Sequence, residues 1–291
     1  MKICVFGAGS IGGVIGGVLA NAGHDVSLIA RGAHLEALRA NGCRVETGGQ
    51  MFNVHPAASD TATDFGPQDI VIVAVKAPAM PAVAAGIAPL LGPETAVVPA
   101  IPVERVMGCV VHMGSMVPEP GVIRHVADNR LILGEATGGV SDRLTMFAST
   151  FEGTTLSARV TDNLRQEIWL KLLGNFNFAP VSSLTGATNG QIGADPGLRK
   201  LCADLFEEAA EAGRCIGLEP GMTAEERTDL GASLGEFRTS MLQDFDKSRP
   251  PEIDAIVGAV VEIGRATGTP MSISESVLSL VEEKARGMGL Y

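Results

Sequence analysis

From Ile3 to Gly23 the chain carries no charged residue, and seven of those 21 residues are glycine. Behind Lys2, such a run has the outline of a targeting peptide or a membrane anchor, yet so many glycines make a poor spanning helix. A second way to bury an uncharged, glycine-rich stretch is to turn it tightly against a sheet. Lys2 to Phe6 (KICVF) is a β-branched and aromatic run that leads into Gly7-Ala8-Gly9-Ser10-Ile11-Gly12, and the mostly apolar segment from Gly13 to Ala22 stops at Gly23. This predicts strand, glycine turn and helix. In that setting Gly-x-Gly-x-x-Gly suits a dinucleotide. The first glycine makes the turn, the second lets backbone approach the pyrophosphate, the third brings helix onto strand, and free N–H groups at the helix start face phosphate. Two plainer readings stay open at this stage: a glycine turn that only joins strand and helix, and a Gly-xxx-Gly membrane contact through Gly12, Gly13, Gly16 and Gly17.

The end of the next strand bears on which dinucleotide. Asp25 to Ala30 (DVSLIA) is followed by Arg31, with no acid before Glu36; NAD favours an acidic residue there and NADP a cation for its 2′-phosphate. Arg31 therefore points to NADP(H), against the plainer reading of an exposed loop arginine. Ala33 to Asn41 predicts a helix, Cys43 to Val54 a hairpin turning at Gly48-Gly49, and Asp69 to Val75 (DIVIVAV) a strand buried on both faces. Lys76 follows at its carboxyl end, where open α/β sheets bind ligands, although a lysine leaving a strand is commonly just solvated. Further strands are predicted at Ala96 to Ala100, Cys109 to Met113, Val122 to Val126 and Arg130 to Leu133. The fold class is thus α/β: a Rossmann-like doubly wound sheet domain over 1–163, then an all-helical domain over 164–291.

The helical half carries its own punctuation. Asn163 to Asn177 reads as one helix, and Asp195-Pro196 opens another that runs to about Ile216. Thr223 to Glu226 and Ser272 to Glu275 have capping-box spacing, and Pro250-Pro251 opens a helix ending near Gly268.

Set against 22 Lys and Arg, 33 Asp and Glu give a formal net charge of −11. That balance excludes a chiefly nucleic-acid or anionic-membrane partner, since both reward a basic face. Five cysteines without CxxC spacing and five scattered histidines imply neither a disulfide framework nor a metal site. Free thiols fit a reducing, cytoplasmic setting. Within Glu167-Ile-Trp-Leu-Lys-Leu-Leu-Gly-Asn175, Lys171 and Asn175 lie one helical turn apart. Apolar neighbours, Trp169 among them, would desolvate the ammonium toward a usable proton donor; spacing alone reads it as a surface lysine paired with Glu167. Glu252 stands where a helix dipole favours a carboxylate, for which capping is sufficient reason.

KICVFGAGSIGG, DIVIVAVK, the stretch from Gly108 to His125, EIWLKLLGN, Asn189-Gly190, and Ser240 to Asp244 followed by Glu252-Ile-Asp254 occur in an order that resembles the ketopantoate reductase family, NADP-dependent 2-dehydropantoate 2-reductases. The resemblance spans nearly the whole chain. It implies reduction of a small 2-oxo acid by NADPH in pantothenate biosynthesis, by a monomer or homodimer. Lys171 would be the general acid and Glu252 its neighbour where cofactor and substrate meet. Asn175, Asn189 and Ser240 would hold the substrate, with Lys76 and Gly114 on the cofactor. The chain departs from the family pattern at two places: no Asn-Gly pair follows Val98, and Ala179 precedes Pro180 where the pattern has asparagine. Two other readings keep the fold, a reductase of a different 2-oxo or β-hydroxy substrate and a non-catalytic NADP(H) sensor.

Overall fold

Lys2–Phe6 forms strand β1, and the four residues after Lys2 are buried, as a central parallel strand requires. The computed structural model describes residues 1–98 and 103–291, in two units, Met1–Leu164 and Arg165–Tyr291.

In the first unit β1 is followed by α1 (Ser10–Asn21), β2 (Asp25–Ile29), α2 (Gly32–Asn41), β3 (Cys43–Thr47), β4 (Gln50–Val54), β5 (Ala57–Ser59), β6 (Gln68–Val73), α3 (Met80–Gly86), β7 (Leu91–Val98), β8 (Met107–Glu119), β9 (Val122–Glu135), α4 (Asp142–Ser149) and β10 (Ser157–Thr161). One sheet is parallel throughout, in the order β5-β2-β1-β6-β7. Its strand order changes direction between β1 and β6, the switch point at which such sheets take ligands.

The sequence suggests a single sheet, but β3, β4, β8, β9 and β10 form a second one, ordered β10-β9-β3-β4 with β8 on β9. Strand-forming residues look alike in either sheet, and membership is decided by pairing partners far along the chain. The predicted hairpin is β3 and β4, paired antiparallel around Gly48 and Gly49. Both glycines have positive φ, 57° and 75°, as a two-residue hairpin turn of the right twist demands. Cys109 to Met113 is the middle of the longer β8. Val122 to Val126 and Arg130 to Leu133 are parts of the single strand β9, in which Asp128 has a φ of 53°. Of the segment Ala96 to Ala100, residues 99 and 100 lie outside the described ones.

Helix α1 has glycines on two faces, and each face meets a different sheet. A Cβ at Gly16 would stand 2.8 Å from Leu28 Cδ2, and one at Gly12 3.0 Å from Val5 Cγ1, both on the parallel sheet. At Gly13 and Gly17 it would stand 2.6 Å from Ile123 Cδ1 and 2.4 Å from Val45 Cγ2, both on the second sheet. The Gly-xxx-Gly spacing is therefore a contact, made with strands rather than with another helix. The uncharged run behind Lys2 is a strand and a buried helix, and among the described residues no helix is long and apolar enough to cross a membrane.

The second unit is helical: α5 (Leu164–Thr185, its first residue in the other unit), α6 (Asn189–Ala194), α7 (Pro196–Cys215), α8 (Ala224–Ala232), α9 (Ser240–Asp246), a π-helical turn (Asp254–Gly258) running into α10 (Ala259–Thr267), and α11 (Ser272–Gly287). Trp169, Phe176, Phe178 and Phe206 centre its core. Asp195 caps α7, and Thr223 with Glu226 closes the predicted capping box of α8. Helix α5 does not end near Asn177 but continues through Pro180. Proline fits helical φ and forfeits one backbone bond, a loss that the buried apolar residues on either side, Phe178 and Val181, outweigh. Ser272 does not cap α11. Glu208 of α7 does so instead, accepting from the N–H groups of Ile273 (3.0 Å) and Ser274 (2.8 Å) and from Ser274 Oγ (2.6 Å).

Replacing Glu208 by alanine is expected to lower unfolding stability by about 1–3 kcal/mol, the range for buried N–H groups left unsatisfied, whereas Ser272→Ala changes it by less than about 0.5 kcal/mol. Urea denaturation of the two variants checks this; equal effects would return the cap to Ser272.

Candidate functional site

The glycine turn sits at the carboxyl end of β1, tied to both neighbouring strands. Gly7 and Ala8 donate their N–H groups to Ile29 O of β2 at 3.2 and 2.8 Å, and Ala74 N, just after β6, donates to Phe6 O at 2.9 Å. Each glycine then meets a different demand. Gly7 has φ +102°, and a Cβ there would lie 2.7 Å from Val75 Cγ1. Gly12 would place a Cβ 2.3 Å from Gly7 O, so any side chain would separate helix from turn. At Gly9 a Cβ would meet nothing within 4 Å, leaving the open space that a diphosphate needs against backbone. Ser10, Ile11 and Gly12 precede the first intrahelical bond, from Gly13 N to Gly9 O at 2.7 Å, and no side chain caps the helix. Their N–H groups, together with the helix dipole, suit an anion. The residues present thus fit a dinucleotide.

Two predicted cations flank the turn. Arg31 is the exposed N-cap residue of α2, beyond β2 on one side, and Lys76 is exposed beyond β6 on the other. Gly114 belongs to the second sheet, on β8 opposite Ala127 at a break in register. Behind the turn, Ile11, Ala74, Cys109, Val111 and Phe147 line an apolar cavity of about 90 Å³.

One residue here escaped the sequence reading. His34 Nε2 lies 2.9 Å from Ala8 O in the turn, while its Nδ1 accepts from Gly121 N at 3.1 Å, at the tip of the β8–β9 hairpin. Because Nδ1 accepts, the ring is neutral and Nε2 is the donor. Burial lowers its pKa from the usual 6.5, partly opposed by the Ala8 carbonyl. Nothing in local spacing announces such a bridge, since its two partners stand 26 and 87 positions away.

In the helical unit, Lys171 and Asn175 are both half-buried, one turn apart on α5. Asn189 opens α6 and is 3% exposed; its Nδ2 donates to Gly231 O of α8 at 3.1 Å, while its Oδ1 has no partner among the described residues. Ser240 is exposed at the start of α9, which Thr239 caps. Glu252 is half-buried, and its backbone carbonyl accepts from Ile256 N at 3.1 Å as the π-helical turn begins.

Two more polar groups were not foreseen. Asn177, wholly buried, has neither amide atom hydrogen-bonded among the described residues. Arg227 of α8 lays its guanidinium over Gly174, with Nη2 3.1 Å from that carbonyl, and burial lowers its pKa. The only sequence signal for Asn177 is an amide between two phenylalanines; Arg227 has none. Cys4, Cys43 and Cys202 are buried free thiols, pushed up by burial to about 12, 11 and 12. No cluster of potential metal ligands occurs among the described residues.

A glycine turn at the switch point of a parallel sheet, followed by an all-helical unit, defines a Rossmann-type protein built of two units. The profile described as "Ketopantoate reductase PanE/ApbA" matches residues 3–138, and that of its C-terminal part residues 163–285. A 2-dehydropantoate 2-reductase of Mesorhizobium japonicum is 39% identical, with 100% of both chains covered, and one of Archaeoglobus fulgidus is 27% identical over 99% of each. A crystal structure from Ralstonia solanacearum MolK2, provisionally assigned as a ketopantoate reductase, superposes with a TM-score of 0.94 at 40% identity, covering 100% of this chain and 99% of that one. The chain belongs to the ketopantoate reductase PanE/ApbA family, and so to the oxidoreductases acting on CH–OH groups. D-mandelate dehydrogenase, solved with NADH and anilino(oxo)acetate, shares the fold at 20% identity and a TM-score of 0.87.

The unequal surroundings of the glycines separate binding from stability. Gly12→Ala is expected to cost about 1–3 kcal/mol of stability through overpacking, while Gly9→Ala leaves the melting temperature nearly unchanged and weakens dinucleotide binding. Calorimetry and a cofactor titration on both variants check this; a Gly9→Ala protein that binds normally would overturn the assignment of the open side.

Proposed function

We propose that this protein reduces 2-dehydropantoate to pantoate, a step of pantothenate biosynthesis, with NADPH as cofactor and Lys171 as general acid. The observation that carries the reading is the glycine turn, whose three glycines each meet what a dinucleotide requires, in a chain similar over its full length to 2-dehydropantoate 2-reductases. With its diphosphate held at that turn, NADPH would supply the hydride for the substrate carbonyl carbon.

The chain's own residues do the rest. Helix α1 and the turn hold the diphosphate with backbone N–H groups. Arg31 binds the 2′-phosphate, a preference supported by the absence of an acid at the end of β2, and Lys76 adds a second cation beyond β6. Hydride addition builds negative charge on the carbonyl oxygen; the Lys171 ammonium stabilises that charge and passes it a proton. Asn175 and Ser240 orient the substrate, and Glu252 hydrogen-bonds where cofactor and substrate meet. Asn189 gives one of its two amide N–H bonds to Gly231 O, tying α6 to α8, and has its Oδ1 and second N–H left for the substrate.

A second reading, a different 2-oxo acid, is favoured by one observation. Residue 179, where the family pattern has asparagine, is alanine, whose side chain offers a substrate no hydrogen bond. The other departure, after Val98, falls at residues 99–102, outside the described ones.

The test is NADPH oxidation followed with a panel of 2-oxo acids. Turnover is expected to be highest with 2-dehydropantoate and to fall by about 10²–10⁴ in Lys171→Ala, the usual contribution of a positioned acid. Full activity in that variant overturns the role of Lys171, and a better substrate elsewhere in the panel favours the second reading. Arg31→Ala is expected to raise KM for NADPH while sparing NADH; an unchanged preference would remove Arg31 from the cofactor site.

A further inference from the structure

The two hydrogen bonds of His34 join three pieces of backbone. The first is the glycine turn, through Ala8 O at 2.9 Å; the second is the tip of the β8–β9 hairpin, through Gly121 N at 3.1 Å. The third is the start of α2, which carries both His34 and Arg31. The hairpin tip is also held from the other side: Arg44 N donates to Gly121 O at 3.0 Å, and a Cβ at Gly121 would stand 3.1 Å from Ala37 Cβ. One face of α2 therefore grips the hairpin, and His34 passes that grip to the turn.

The bond to Ala8 O has a consequence for the next amide. The carbonyl of Ala8 and the N–H of Gly9 belong to one planar trans peptide and point in opposite directions. Holding the carbonyl on His34 turns the Gly9 N–H away from α2, on the residue whose surroundings are open. We infer that His34 is a positioning residue for cofactor binding, which orients the Ala8–Gly9 peptide so that the Gly9 N–H faces the cofactor's diphosphate, and which fixes Arg31 relative to that turn. This rests on the dinucleotide reading above. His34 touches no reacting atom, so its effect falls on cofactor affinity and not on the chemical step.

Short amides divide the two bonds, since glutamine can put a donor where Nε2 lies and asparagine an acceptor where Nδ1 lies. The dissociation constant for NADPH, measured by fluorescence titration, is expected to rise about tenfold in His34→Ala, as loss of one well-placed bond would give. It should rise similarly in His34→Asn and stay within about threefold of the unaltered protein in His34→Gln. KM for NADPH follows the same order while kcat changes less than about twofold. Should the alanine variant fail to fold, His34→Leu keeps the bulk and replaces it in the comparison. A glutamine variant as weak as alanine, or an asparagine variant as tight as glutamine, overturns the role of His34. Failure of the unaltered protein to bind NADPH overturns the cofactor reading itself, and the inference with it.

Discussion

The first unit depends on one close contact: helix α1 lies between two sheets, and it has room there only because it lacks side chains on both sides. Gly12 and Gly16 admit β1 and β2, while Gly13 and Gly17 admit β9 and β3, each at a distance that a single methyl would violate. Interiors are packed too densely to yield that space. The same helix starts at the glycine turn, so the packing that joins the sheets also aims its N-terminus. Val14, Ile15, Val18 and Leu19 are buried between and beyond the glycines, which offsets the low helix propensity of four glycines.

Arrangements settled by neighbours in sequence were legible without the structure. The turn at Gly7 to Gly12, the hairpin at Gly48-Gly49, the cap at Asp195 and the capping box at Thr223 each draw their geometry from a few adjacent residues. The second sheet was not legible, because β3 pairs with β4 beside it and also with β9, and nothing within Val122 to Val126 says which sheet it joins. Arg31 and Lys76 could be proposed for the site because each follows a strand, whereas His34 and the helix-capping Glu208 work through partners tens of positions away. Pro180 misled for a different reason: a local rule against proline in helices was overridden by burial around it.

Polar groups in the helical unit are distributed unevenly. Asn177 and the Oδ1 of Asn189 are buried without partners among the described residues, an arrangement that costs stability wherever it occurs. Asn177 lies on α5, which also carries Lys171 and Asn175, and Asn189 opens the helix that follows.

Glu208 gives the C-terminal helix a dependence that its own sequence hides. The amide groups that open α11 are satisfied by a carboxylate 65 positions earlier, in the middle of α7, so the helix has no adequate start until α7 is in place. Synthesis delivers them in that order. Shortening the chain ahead of Ser272 would remove more than a terminal helix, because it would strand a carboxylate that no other residue of the described chain is shown to receive.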